Sequence, residues 1–155
     1  LEAQAALFDG PSPPQRVLDV GTGSGILAIA AAALGASRVL ACDIDAEACR
    51  IAGENAALNG VGDLVEVTME PLSALAGEFD LVLANILAGP LVDLAPLLAG
   101  RIRVGGRIAL SGLLVEQADA VTAAYRPWFD VGLTGERDGW GLLTGCRRAR
   151  DAVRQ

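Results

Sequence analysis

An apolar strand that runs into a glycine-rich turn and then into an apolar helix leaves a chain few ways to fold. Arg16–Val20 (RVLDV) reads as such a strand, Gly21-Thr22-Gly23-Ser24-Gly25 as the turn, and residues 26–34 as a helix stopped by Gly35. The alternation then repeats. Arg38–Cys42 is a second strand ending at Asp43, and Asp45 is placed to cap a helix over Ala46–Leu58 that Asn59-Gly60 terminates. Residues 64–68 form a third strand and 79–84 a fourth, followed by a loop at 85–89 and a helix over 90–98 with Pro90 at its first position. Val104-Gly105-Gly106 reads as a turn before a fifth strand over 107–111, and 116–125 as a helix. Residues 130–136 and Trp140–Arg147 close the pattern as two strands joined at Asp138-Gly139, a hairpin signal. Short apolar strands alternating with helices imply an α/β fold with a mostly parallel sheet and helices on both faces. Residues 1–8 read as the end of a helix cut at its start, with a Gly/Pro breaker over 10–14, and the polar tail 148–155 is expected to fray.

The 155 residues fit a single domain, and a hydrophobic fraction of 52% supports a sizeable core. Aromatics are only 4%, too few for a base-stacking surface. The formal charge is −7 and every basic residue is Arg. Such a domain repels phosphate backbones, so direct nucleic-acid binding is disfavoured and a basic protein partner is favoured. The plainer reading is that the charge keeps the protein soluble. There is no His, and Cys42, Cys49 and Cys146 have no metal-ligand spacing, so neither a zinc site nor a His-dependent nucleophile is expected. The cysteines read as small core residues in a reducing compartment. No apolar run is long enough to span a bilayer and no export signal opens the chain, which makes the cytoplasm the expected location.

The turn carries the ligand reading. Glycines between a strand and a helix let a ligand approach the backbone, and the helix N-terminus offers free N–H groups. A dinucleotide fingerprint places a third glycine where this chain has Ile26. The observed GxGxG, preceded by Asp19, suits a carboxylate-bearing nucleoside without a pyrophosphate, such as S-adenosylmethionine. Asp43 follows Gly25 by 18 positions, at the tip of the second strand, where a carboxylate accepts both ribose hydroxyls. Asp45 is the better cap, which frees Asp43 for the ligand. Ile44 is then either an apolar wall beside the adenine or plain core. A tight turn without a ligand is the alternative for the glycines.

These residues resemble the class I S-adenosylmethionine-dependent methyltransferases. Asp19, Gly21, Thr22, Gly23 and Gly25 match the cofactor loop of that superfamily, Asp43 its ribose-binding acid, and Glu70, after the third strand, a residue near adenine. A narrower resemblance rests on Asn85-Ile86-Leu87-Ala88-Gly89-Pro90-Leu91, Leu110-Ser111-Gly112-Leu113-Leu114 with Glu116-Gln117, and Glu136-Arg137-Asp138-Gly139-Trp140. They look like the ribosomal protein L11 methyltransferase (PrmA) family. That resemblance implies a Rossmann-like sheet of seven strands with the last antiparallel. It also implies S-adenosylmethionine as cofactor and methylation of lysine or N-terminal amines of a ribosomal protein. Family members carry an N-terminal recognition domain and a GTGxHxTT segment that closes over the cofactor, and this chain is expected to begin just after them. Asn85, at the carboxyl end of the fourth strand, is the candidate catalytic residue. A polar, uncharged acceptor there orients an amine; the alternative is a loop residue in a left-handed conformation. Ile86-Leu87 in place of Pro-Pro-aromatic gives an apolar lip that suits a lysine stem. Arg101, Arg103 and Arg107 read as a basic patch or a solvated loop, Trp128 and Trp140 as core or rim, and Glu116 and Gln117 as site lining or a helix start. Competing functions are another class I methyltransferase of a protein or small molecule, a non-catalytic cofactor-binding module, and a nicotinamide-dependent oxidoreductase, against which Ile26 counts.

Overall fold

The computed structural model describes residues 1–149. One seven-stranded sheet runs in the order β3-β2-β1-β4-β5-β7-β6. Its strands are β1 (Arg16–Val20), β2 (Arg38–Cys42), β3 (Val65–Thr68), β4 (Phe79–Asn85), β5 (Ile102–Leu114), β6 (Phe129–Arg137) and β7 (Trp140–Arg147). β7 is antiparallel to both neighbours, β5 and β6, and the remaining pairs are parallel. The expected sheet with its antiparallel last strand is what forms. Five helices accompany it in the described residues: α1 (Glu2–Ala6), α2 (Ile26–Ala33), α3 (Ala46–Leu58), α4 (Ala88–Ala99) and α5 (Ala118–Tyr125).

Successive side chains on a strand face opposite ways, and this alternation sorts the core into two layers. Val17, Leu81, Leu83 and Ala109 are buried with Ala28, Ala31 and Ala32 of α2 and Ala56 of α3. Leu18, Val20, Val82, Ala84, Ile108 and Leu110 are buried with Leu91, Ala95 and Leu98 of α4 and Val121 and Tyr125 of α5. The alanine-rich α2 and α3 lie against one face, and the leucine-rich α4 together with α5 against the other. Each fully buried Leu or Val contributes roughly 1.5–3 kcal/mol. The Tyr125 hydroxyl donates to Leu91 O at 2.8 Å and ties α5 to α4.

Several expectations change. Val104-Gly105-Gly106 is not a turn but a bulge within β5. Phe79 pairs with Ile102 and Leu81 with Arg107, so extra residues loop out of the longer strand. Gly105 has φ +77°, and a Cβ on Gly106 would lie 2.8 Å from Arg103 O. The helix expected over 116–125 is a 3-10 turn, Val115–Gln117, followed by α5. α4 starts two residues before Pro90, which sits inside its first turn. Only Cys42 is a core cysteine. Cys49 is half-buried, and Cys146 is exposed near the end of β7. Arg148 is not frayed: its N–H donates to Trp128 O at 2.9 Å, and its guanidinium bonds Arg126 O. The rest of the expected tail from residue 150 lies outside the described residues.

Candidate active site at the carboxyl edge of the sheet

Asp19 lies on the α2 side of β1 and is 1% exposed. The Thr22 hydroxyl donates to its Oδ2 at 2.6 Å. Burial pushes the Asp19 carboxyl up to about 6; the Thr22 hydroxyl and the Ala28 amide act against that rise, and the Asp43 charge adds to it. The turn above is anchored on the neighbouring strand, because Gly21 N and Thr22 N both donate to Cys42 O at 2.9 and 3.0 Å. Its three glycines are left-handed, with φ of +68°, +55° and +83° at Gly21, Gly23 and Gly25. They differ in surroundings. A Cβ on Gly21 would come within 2.5 Å of Ile86 Cγ2, and one on Gly25 within 3.1 Å of Ala52. A Cβ on Gly23 would meet nothing within 4 Å. Packing demands the outer two glycines, while the middle one faces open space.

Asp43 stands beside this turn, just past the tip of β2. Its Oδ2 accepts from Gly23 N at 2.9 Å and its Oδ1 from Asp45 N at 3.0 Å. Asp45 caps α3 as expected, accepting from Glu47 N at 2.9 Å. Asp43 is therefore not free, as the spacing suggested, but braces the glycine turn. Each carboxylate oxygen keeps a further lone pair. Ile44 is 94% exposed, which removes the core reading. Glu70 is exposed beyond β3, in a turn closed by its N–H donating to Thr68 Oγ1 at 3.0 Å. Asp19, Gly21, Thr22, Gly23, Gly25 and Asp43 thus form one hydrogen-bonded cluster. Ile44 adjoins it, and Glu70 stands one strand further out.

On the other side of β1, Asn85 is the last residue of β4 and is exposed. Among the described residues Asp138 is the one non-glycine with positive φ, so Asn85 is a strand residue and not a left-handed loop residue. It pairs in register with Ser111 of β5. A Cβ on Gly112 would lie 2.8 Å from Asn85 Oδ1 and 2.6 Å from Ile86 O, so only glycine lets β5 pass this close. A cleft of about 540 Å³ opens here, lined by Asn85, Ile86, Leu87, Ser111, Gly112, Trp140 and Gly141. Through Ser111, Trp140 and Gly141 it adjoins a hollow of about 730 Å³ bounded by α1, Leu27, Leu83 and the β6–β7 hairpin. Trp140 therefore lines the cleft, whereas Trp128 packs against the core.

Ser111 and Gly112 were not singled out by sequence reasoning as site residues. Their position at a strand's carboxyl end, beside Asn85, was the available signal. Gln4 was missed as well. It is 5% exposed, its Nε2 donates to Leu27 O at 2.8 Å, and its Oε1 has no partner among the described residues. Arg101, Arg103 and Arg107 are each held by a protein acceptor, and Arg103 lies in the exposed bulge of β5, in keeping with the solvated-loop reading. Arg101 bonds Leu72 O and Ser73 O, Arg103 pairs with Asp80 at 2.6 Å, and Arg107 bonds Leu7 O. Gln117 Oε1 accepts from Leu114 N at 2.8 Å, which makes Glu116-Gln117 a helix start.

The architecture has close structural counterparts. It superposes on an S-adenosylmethionine-dependent O-methyltransferase from Thermotoga maritima with a TM-score of 0.81 at 15% identity, covering 97% of this chain and 65% of that one. The fold is that of the class I methyltransferases. Residues 5–148 match the family model described as ribosomal protein L11 methyltransferase (PrmA). A ribosomal protein L11 methyltransferase from Syntrophotalea carbinolica is 51% identical over 153 residues, 96% of this chain and 49% of that protein. The crystal structure of a ribosomal protein L11 methylase from Lactobacillus delbrueckii subsp. bulgaricus has a TM-score of 0.85 at 38% identity, covering 96% of this chain and 79% of that one. This chain belongs to the ribosomal protein L11 methyltransferase family. It spans about half the length of the relatives it matches in sequence.

Proposed function

We propose that residues 1–155 form one domain that binds S-adenosylmethionine and transfers its methyl group to lysine or N-terminal amines of a ribosomal protein, the L11 protein named in its relatives. The observation that carries this reading is the shared rim: a braced, open glycine turn on β1 and β2, and one strand away the exposed carboxamide of Asn85 over a cleft. The residues present fit the cofactor. Gly23 leaves space where a side chain would intrude, and Asp43 retains acceptor capacity for two ribose hydroxyls. Ile44 offers an apolar wall and Glu70 an acceptor for the adenine amine. The buried Asp19 and Thr22 hold the turn's shape, with Gly21 and Gly25 packed tightly behind.

When bound, S-adenosylmethionine supplies a methyl group activated by its sulfonium, so the protein's task is positioning. Asn85 Oδ1 accepts an N–H of the incoming amine and aims its lone pair. A neutral carboxamide does this while stabilising the unreactive ammonium form less than a carboxylate would. Ile86 and Leu87 form an apolar lip for the methylene stem. The charge of −7 favours a basic protein partner over RNA, and a cytoplasmic enzyme without membrane attachment belongs to the same proposal. Among the described residues no helix is long and apolar enough to cross a membrane.

Two measurements test the reading. Calorimetry with S-adenosylhomocysteine is expected to show binding that Asp43→Asn weakens about ten- to a hundredfold, as for loss of charge-assisted hydrogen bonds. Labelled S-adenosylmethionine, given to the protein in its full natural length with ribosomal protein L11 and ribosomal RNA, is expected to label the protein. Label in RNA alone refutes protein methylation.

A further inference from the structure

We propose that Ser111 is a second contact for the amine, its hydroxyl oxygen accepting an N–H beside Asn85. The proposal rests on the methyl-transfer reading above and adds a residue to it. Asn85 and Ser111 are direct partners in the parallel ladder of β4 and β5, so their side chains leave the same face at the same height. One step back on that face, Leu83 and Ala109 are buried, whereas Ser111 is half-buried. Its hydroxyl is not among the buried polar atoms left without a partner. Ser111 is a half-buried residue of the cleft lining. Among the described residues, only Ser111, Trp140 and Gly141 line both this cleft and the hollow behind it. Gly112, with φ +83°, keeps a Cβ away from Asn85 Oδ1 and lets the two side chains stand together.

The chemistry favours two neutral oxygens at this point. During transfer the amine nitrogen gains a bond to the methyl carbon and a positive charge, while the electron pair of the broken S–C bond stays on sulfur. The nitrogen then releases one proton to water. As the charge grows, its N–H groups become stronger donors, so an acceptor oxygen stabilises the transition state more than the neutral amine. Loss of Ser111 is therefore expected to lower kcat more than it raises KM.

The experiment compares wild type, Ser111→Ala and Ser111→Thr at full natural length, with ribosomal protein L11 as acceptor and S-adenosylhomocysteine calorimetry as a second readout. The expected result is a kcat reduced about tenfold or more in Ser111→Ala, KM changed less than twofold, S-adenosylhomocysteine affinity unchanged, and recovery in Ser111→Thr. Wild-type turnover in Ser111→Ala overturns the role of Ser111 and leaves the methyl-transfer reading intact. A parallel loss of S-adenosylhomocysteine binding overturns it in favour of a structural part. Wild-type protein that binds S-adenosylhomocysteine but labels no amine overturns the underlying reading and this proposal with it.

Discussion

Asp19→Asn probes the one carboxylate among the described residues that the fold places almost wholly out of water. The ordinary aspartate value of 3.8 is raised to about 6 in the folded chain, with burial as the largest cause. Because the folded-state value lies above the unfolded one, the folded protein binds more protons between roughly pH 4 and pH 6. The stability Asp19 contributes is therefore greatest below that window and falls as pH rises through it. A rise of about two pH units amounts to about 3 kcal/mol when the group is fully ionised. About 1.4 kcal/mol of this develops between pH 5 and pH 8, a range kinder to an acidic protein. Asparagine does not ionise, so the difference in unfolding free energy between Asp19→Asn and wild type should shift in the variant's favour by that amount across the range. Groups present in both proteins cancel, including Asp80, which is held below the usual carboxylate range and titrates with opposite sign. Urea unfolding followed by the fluorescence of Trp128 and Trp140 measures the difference at each pH. A difference that stays flat from pH 5 to pH 8 refutes the reasoning, whatever the offset caused by the lost Thr22 hydrogen bond.

Gly21→Ala should cost about 3 kcal/mol in urea unfolding, because left-handed strain adds to a methyl driven into Ile86. Gly23→Ala should cost only about 1–2 kcal/mol but weaken S-adenosylhomocysteine binding in calorimetry more than tenfold, since its methyl enters the open space proposed for the ligand. Equal stability losses for the two would contradict the different surroundings of these glycines. Asp80→Ala should cost about 2 kcal/mol in the same unfolding assay, because its Oδ2 accepts from both Gln15 N and Arg16 N. Glu66→Ala should cost less than about 1 kcal/mol, since its partner Arg38 is a surface ion pair.

The strand map was readable in the sequence because strands covered on both sides are nearly continuous apolar runs, as in RVLDV and RVLAC. β5 was misread for a definite reason. Two adjacent glycines serve a turn and a bulge equally well, and only the pairing of Phe79 with Ile102 and Leu81 with Arg107 decides between them. Asp43 was visible through its spacing, but its bond to Gly23 joins residues 20 positions apart and emerges only when β1 and β2 pair. The meeting of Ser111 with Trp140 depends on register across β5 and β7, which no local pattern encodes. Gln4 was hidden because a five-residue helix shows too little periodicity to mark its inward face.

A reversed strand begins where its forward-running neighbours finish. β7 does this between β5 and β6, so its opening residue, Trp140, and the Asp138-Gly139 bend sit at the level of Leu114, the end of β5. One edge of the molecule is thereby assembled from two separate lengths of chain. Under the methyl-transfer reading proposed above, the early turns after β1, β2 and β3 would serve the nucleoside, and the later segments from β4 onward would serve whatever receives the methyl. Under that same reading, exchange of the bend and the first residues of β7 would reshape the receiving end while leaving Asp43 and the glycine turn, which are proposed to hold the sugar, in place.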